Sequence, residues 1–213
     1  MTEFGATVFV VDDDAAVRKS LARLLKSAGF RTESFGSADE FLDSWSGNPL
    51  PGCVLLDLSL PGLNGLQLQQ KLQSSAHAIP IIFITGHGDI PSTVTAMKAG
   101  AVDFFSKPFN DEDLLRAVRE AIQRDTLQRA EGAERAAVEQ RFEALTPRER
   151  EVMALVVKGL MNKQIASVLG ASEKTVKIHR GRVMDKMNVQ SVADLVRAAE
   201  KMGLHPDAPL APK

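Results

Sequence analysis

The feature that most constrains this chain is an alternation running through its first half: short, nearly unbroken apolar runs separated by segments whose apolar residues recur at helical spacing. Thr7 to Val11 is β-branched or aromatic, and the apolar face of Val17, Leu21, Leu24 and Leu25 follows until Gly29 stops it. Val54 to Leu56 precedes a helix over Leu66 to Leu72, Ile81 to Ile84 precedes Thr93 to Ala99, and Val102 to Phe105 precedes Leu114 to Ile122. A strand apolar on both faces must be covered on both, so the alternation predicts an α/β fold with a parallel sheet between helices. In such sheets the chemistry gathers at the carboxyl ends of the strands, here Asp12 to Asp14, Asp57, Thr85 and Lys107.

A chain of 213 residues is long enough for two domains, and its 44% hydrophobic and 25% charged residues exclude global disorder. No stretch reaches the roughly 18 apolar residues of a membrane span, and the start MTEFGATVFVVDDD lacks a basic region followed by an apolar one. The expectation is a cytoplasmic protein with no membrane partner. The single cysteine, Cys53, excludes an internal disulfide and reads as a buried structural thiol beside Val54 to Leu56. The net charge of -1 hides an asymmetry: residues 1–143 hold 14 Lys+Arg against 20 Asp+Glu, residues 144–203 hold 11 against 6, so -6 sits beside +5. The two parts therefore suit different partners.

Asp12, Asp13 and Asp14, taken alone, could be N-caps of the helix that follows. Asp57 shifts the balance, because an ionised carboxylate ending a buried strand at the same rim is poorly solvated and repelled by its neighbours, so a cation is needed. Mg²⁺ suits such a rim, since it prefers oxygen ligands and works through one or two carboxylates plus a phosphate. Asp13 and Asp57 are the expected direct ligands, with Asp12 acting mostly through water. A carboxylate can attack phosphorus, with Lys107 as the fixed ammonium that balances charge and the Thr85 hydroxyl donating to a phosphoryl oxygen once one is present. His87, between two glycines, reads as a loop residue, because His77, His179 and His205 are scattered and form no ligand spacing.

The segments FVVDDD, LLDLSLPGLNG, ITGHGDIPSTVTAMKAGAVDF and SKPF, in that order, resemble the receiver motifs of two-component response regulators, over about residues 4 to 122. TGHGDIPSTVTAMKAGAVDF is especially similar to the FixJ branch. The resemblance implies a CheY-like, flavodoxin-like fold, doubly wound on five parallel strands. It assigns Asp12 and Asp13 to metal, Asp57 as phosphoacceptor, and Thr85 and Lys107 to the same site. It adds the main-chain carbonyl of Ser59 as a metal ligand, Phe104 as the switch aromatic, able to report only by packing, and a cis Lys107-Pro108 bond.

Residues 123–145 are rich in Ala, Glu, Gln and Arg and read as a partly helical linker that prolongs the last receiver helix, weakened at Gly132. Leu127, Val138, Phe142 and Leu145 leave open a short coiled seam with a second chain, although the spacing is sparse for sustained heptads and a solvated linker is the stronger reading. Four helical segments follow. Thr146, Pro147 and Glu149 form a capping box that opens the first and Gly159 ends it; Gly170 and Ser172 separate the second and third; Ser191 and Asp194 open the fourth, which ends near Gly203. The tail HPDAPLAPK is expected to be disordered. On the third segment Val176, Val183 and Met187 share one face, while Lys174, Lys177, Ile178 and Gly181 share the other. Lys177 can donate to guanine or phosphate and Ile178 can touch a thymine methyl, while Lys163, Lys174, Arg180 and Arg182 suit backbone phosphates.

LTPREREVMALVVKGLMNKQIASVLGASEKTVKIHRGRVMDKM resembles the LuxR/NarL type of tetrahelical helix-turn-helix, a small all-α domain, over about residues 145 to 202. The resemblance implies that Lys177 and Ile178 enter the major groove and that the fourth helix, from Val192, makes a dimer contact. Gly181 departs from it, standing where relatives often carry a polar or basic side chain. The expected organisation is a receiver over 1–124, a helical linker over 125–143, a helix-turn-helix over 144–203 and a tail over 204–213. The function implied is a transcriptional regulator, not an enzyme, activated by phosphoryl transfer from a sensor histidine kinase. It would dimerise on phosphorylation, bind double-stranded promoter DNA and work with RNA polymerase. A phosphotransfer or phosphate-sink module whose helical domain docks protein partners is the alternative.

Overall fold

The computed structural model describes residues 5–45, 50–74, 78–86 and 90–204. The chain divides into two compact units, Met1–Arg129 and Ala130–Lys213.

In the first unit the elements run β1 (Thr7–Val11), α1 (Ala15–Ser27), β2 (Arg31–Phe35), α2 (Ala38–Ser44), β3 (Gly52–Leu56), α3 (Gly65–Gln73), β4 (Ile81–Thr85), α4 (Ile90–Lys98), β5 (Asp103–Ser106) and the first part of α5 (Asp111–Glu143). The strands pair in parallel in the order β2-β1-β3-β4-β5. The unbroken apolar runs follow from the layering. Val8, Val10, Cys53, Leu55, Ile82 and Ile84 point to the face covered by Leu21 and Leu25 of α1 and Leu114, Val118 and Ala121 of α5. Their neighbours Phe9, Val11, Val54, Leu56, Ile81 and Phe83 point to the other face, under Phe41 of α2, Leu68 and Leu72 of α3 and Ala96 of α4. Each such fully buried aliphatic or aromatic side chain contributes about 1.5–3 kcal/mol, which makes the three central strands the main source of cohesion.

Two elements leave no trace in the hydrophobic pattern. β2, with the sequence RTESF, is an edge strand buried only at Phe35, so its polar residues face solvent and give no apolar run. α2 is only seven residues long and is announced by Ser37, whose side chain accepts from Glu40 N–H, and by Phe41 packed at 5.7 Å from Phe9 and 5.3 Å from Phe35. α4 also begins three residues before the expected Thr93, at Ile90.

The carboxylate of Asp125 on α5 is buried. It accepts from Gly52 N–H at 2.9 Å and pairs with Arg129 at 2.7 Å, rooting the helix at the amino end of β3. Cys53 is fully buried beside it, and burial first, then the Asp125 charge, push its thiol far up, so it is inert.

The second unit comprises the distal part of α5 and α6 (Pro147–Val157), α7 (Asn162–Leu169), α8 (Glu173–Met187) and α9 (Val192–Lys201). Thr146 and Glu149 form the expected capping box with Pro147 in the first turn, Gly170 is left-handed at φ 61° after α7, Ser172 caps α8, and Ser191 and Asp194 form a second box on α9. Val152, Met153, Val156, Ile165, Val176, Val183, Met187 and Leu195 make one core. Val138 and Leu145 are buried in that same core and Phe142 packs against it, while Leu127 is 59% exposed. The coiled seam considered for these residues therefore keeps Leu127 alone, its other three apolar side chains being taken up by the chain's own core, and α5 is helical without a break past Gly132. Lys201 of α9 pairs with Glu134 of α5 inside this unit. His77, His87, His205 and the proline-rich tail beyond Leu204 lie outside the described residues.

Candidate functional site

The sheet order reverses between β1 and β3, and a cleft at the carboxyl ends of two strands leaving in opposite directions is where such folds bind ligands. Asp12 follows β1 and Asp57 follows β3. Asp57 N–H donates to Val11 C=O at 2.8 Å, which sews the two strand ends together. Carboxylate oxygens of Asp12, Asp13 and Asp57 all lie within 4.8 Å of one another; Asp12 and Asp57 are buried and Asp13 is exposed. Lys107 Nζ stands 2.6 Å from Asp12 Oδ2 and 3.7 Å from Asp57 Oδ2. It follows the end of β5, where Lys107 N–H donates to Thr85 C=O at 2.8 Å, and the Lys107-Pro108 bond is cis, as the resemblance implied. Thr85 ends β4 with no exposed surface.

The run of three aspartates divides by role. Asp14 is the N-cap of α1, accepting from Ala16 N–H at 2.7 Å and Val17 N–H at 3.4 Å. Asp12 instead accepts from Asp14 N–H at 2.9 Å and from Lys107, and its main-chain carbonyl accepts from Arg18 at 2.6 Å. Burial pushes the Asp57 carboxyl up from its ordinary value, Lys107 pulls it back, and Asp12 and Asp13 add to the rise; the N–H of Ser59, donating to Asp57 Oδ1 at 3.4 Å, lowers it again. Three converging carboxylates with one ammonium carry a net negative charge, and their donors are all hard oxygens, which fits a small divalent cation.

Two residues that sequence reasoning passed over complete the pocket. A Cβ on Gly65 would lie 2.4 Å from the main-chain oxygen of Asp57 and 3.1 Å from Phe83, so α3 approaches the loop after β3 as closely as only glycine allows. The PGLNG turn was the available signal. Arg18, the second, was hidden in the amphipathic pattern of α1. Phe104 is half-buried, its ring 6.2 Å from Phe83.

In the second unit α8 turns Val176, Val183 and Met187 inward and leaves Lys174, Lys177, Ile178, Gly181 and Arg182 exposed, as is Lys163 on α7. Arg180 is half-buried and donates to Asn162 Oδ1 at 3.0 Å, locking α8 to the start of α7.

Comparison with known proteins agrees with both units. Residues 8–119 match the response regulator receiver domain, and residues 143–199 match the bacterial regulatory proteins of the LuxR family. This chain belongs to the response regulators. Its relatives include nodulation protein W of Bradyrhizobium diazoefficiens, 53% identical over 199 residues that cover 93% of this chain and 87% of that protein. The transcriptional regulatory protein FixJ of Azorhizobium caulinodans is 44% identical over 200 residues, covering 93% and 94%. Among solved structures the response regulator StyR superposes with a TM-score of 0.82 at 48% identity, covering 92% of this chain and 99% of that one. As a response regulator with a LuxR-type DNA-binding domain, the protein is a transcriptional regulator of the FixJ type, with the expected five-stranded receiver. No helix among the described residues is long and apolar enough to cross a membrane.

Proposed function

We propose that this response regulator accepts a phosphoryl group on Asp57 from a sensor histidine kinase in the cytoplasm and thereby gains affinity for promoter DNA. The observation that carries the reading is the convergence of Asp12, Asp13, Asp57 and Lys107 on one buried rim. Asp12, Asp13, Asp57 and the main-chain carbonyl of Ser59 would hold Mg²⁺, which when bound neutralises charge on the transferring group. An Asp57 carboxylate oxygen attacks phosphorus as the bond to the donor breaks. Lys107 moves part of its pairing from Asp12 to the new phosphoryl oxygens, and the Thr85 hydroxyl donates to one of them. The protein performs this step on itself and turns over no separate substrate.

The added charge of about -1.5 to -2 draws Thr85 and Lys107 toward Asp57 and lets Phe104 repack against Phe83, altering the face of α4 and β5. That face carries Ile90, Val94 and Met97 at i, i+4, i+7, exposed by 81, 43 and 42%. We infer that it pairs with a second copy on phosphorylation. The receiver is taken as 1–124, the helical connector as 125–143, the DNA-binding domain as 144–203 and the tail as 204–213. Lys177, Ile178 and Gly181 face the groove, Lys163, Lys174 and Arg182 face phosphates with Arg180 braced by Asn162, and α9 supports the paired state that engages RNA polymerase.

The test uses wild type and Asp57→Asn treated with acetyl phosphate and Mg²⁺, followed by mass, sedimentation and DNA affinity. Wild type gains the mass of one phosphoryl group, dimerises and binds DNA more tightly, whereas Asp57→Asn does none of these. Equal dimerisation and binding in both refutes the coupling. A shallow salt dependence of DNA binding, in place of the slope of about -0.9 per neutralised phosphate, would favour a protein-docking role for the helical domain.

A further inference from the structure

Gly181 is the ninth residue of the 15-residue helix α8, far from either cap. Its φ is not positive, so the backbone there is one that any residue adopts. A Cβ built on it meets nothing within 4 Å, and the residue is exposed. A glycine inside a helix weakens it relative to alanine, because more backbone freedom is lost on folding. Nothing within the unit requires that loss: no close packing, no turn, no left-handed conformation. The requirement, if it comes from outside, comes from whatever meets this face.

Lys174, Lys177 and Ile178 lie on that face at helical spacing with Gly181, all exposed, and Arg182 flanks it. Cations around an apolar tip match a base edge between phosphates. At position 181 the face is bare main chain, with open space where a side chain would stand. Resting on the reading that this face enters the major groove, we propose that Gly181 is a specificity-determining residue through its missing side chain. Duplex DNA seats directly on the α8 backbone there, and a base-pair edge that a Cβ would exclude occupies that space. The preferred base pair is then selected by fit against main chain, and Lys177 and Ile178 sit deeper than a side chain at 181 would permit.

The test selects binding sites for the full chain, phosphorylated with acetyl phosphate in Mg²⁺, from random 30-bp duplexes, in parallel for wild type, Gly181→Ala and Lys177→Ala. Gly181→Ala is expected to melt a few degrees higher than wild type, to bind the wild-type consensus at least tenfold more weakly, and to select a changed base pair at one step of each half-site. Its loss on unselected DNA is at least fivefold smaller than its loss on the wild-type consensus. A higher melting point with the same consensus and affinity overturns the proposal, because the glycine is then merely tolerated. An equal loss on selected and unselected duplexes overturns it too, since bulk at 181 would not act through sequence. Lys177→Ala separates the underlying reading: if it retains the wild-type consensus and affinity, the face does not enter the groove, whatever Gly181→Ala does.

Discussion

Asp57 follows a strand that is apolar on both faces, and burial raises its carboxyl before Lys107 pulls it part of the way down. A raised carboxylate binds its proton more readily folded than unfolded, so its contribution to stability is fully present below the ordinary value of 3.8 and lost as pH rises through the folded value. At neutral pH the ionised group therefore works against the fold. Asp57→Asn should melt roughly a few degrees above wild type at pH 7 without Mg²⁺, and the gap should close as the pH falls below 3.8, as thermal unfolding at several pH values will show. Added Mg²⁺ should raise the wild-type midpoint and raise that of Asp57→Asn less. Gly65 makes the opposite demand, because any Cβ there collides with the Asp57 main chain at 2.4 Å. Gly65→Ala should lose about 1–3 kcal/mol in urea unfolding and slow phosphorylation by acetyl phosphate, since relief of the clash must move the acceptor loop. No change in either measurement would mean that α3 is free to withdraw.

At the scale of elements, α6 is fastened by one buried carboxylate. Glu149 accepts from Lys186 at 2.7 Å and from Thr146 N–H at 2.9 Å, and the Lys186 hydrogen bond, more than the capping bond, lowers its pKa to about 2. A lowered carboxylate stabilises the fold above its ordinary value of 4.5, and that contribution fades as pH falls from there through about 2. Glu149→Gln should therefore melt below wild type at pH 7, with the difference shrinking between pH 4.5 and 2 when helix content is followed by circular dichroism. A constant difference across that range would assign the loss to packing alone. The capping boxes were legible because they depend on residues three positions apart. β2 and α2 were not, because an edge strand with polar side chains and a two-turn helix carry too few apolar residues to show a period.

At the scale of the whole molecule, the exposed apolar stripe on α4 is the surface on which control of the DNA-binding domain is proposed to depend. Val94→Glu should still gain one phosphoryl group by mass, yet remain a monomer in sedimentation and bind selected DNA at least about tenfold more weakly, because a charge at a paired apolar surface costs several kcal/mol. Phosphorylated dimers of this variant would remove α4 from the mechanism. The connector matters at this scale as well. α5 is rooted in the sheet through Asp125 and Gly52 and in the helical core through Val138 and Phe142, so its connector was only half legible as a polar linker: the buried residues there are few and separated by exposed turns.

The sequence by itself determined the layered α/β architecture, the caps of the helical domain and the identity of the carboxylates at the strand ends, because periodicity and capping are local. Only the tertiary structure decided which aspartate caps α1 and which face Lys107, that Val138 and Phe142 serve the chain's own core, and that Gly65 must be glycine while Gly181 need not be for any internal reason. Those outcomes depend on contacts between residues distant in sequence, where a few ångströms of approach decide between a cap and a ligand, or between a clash and an open surface.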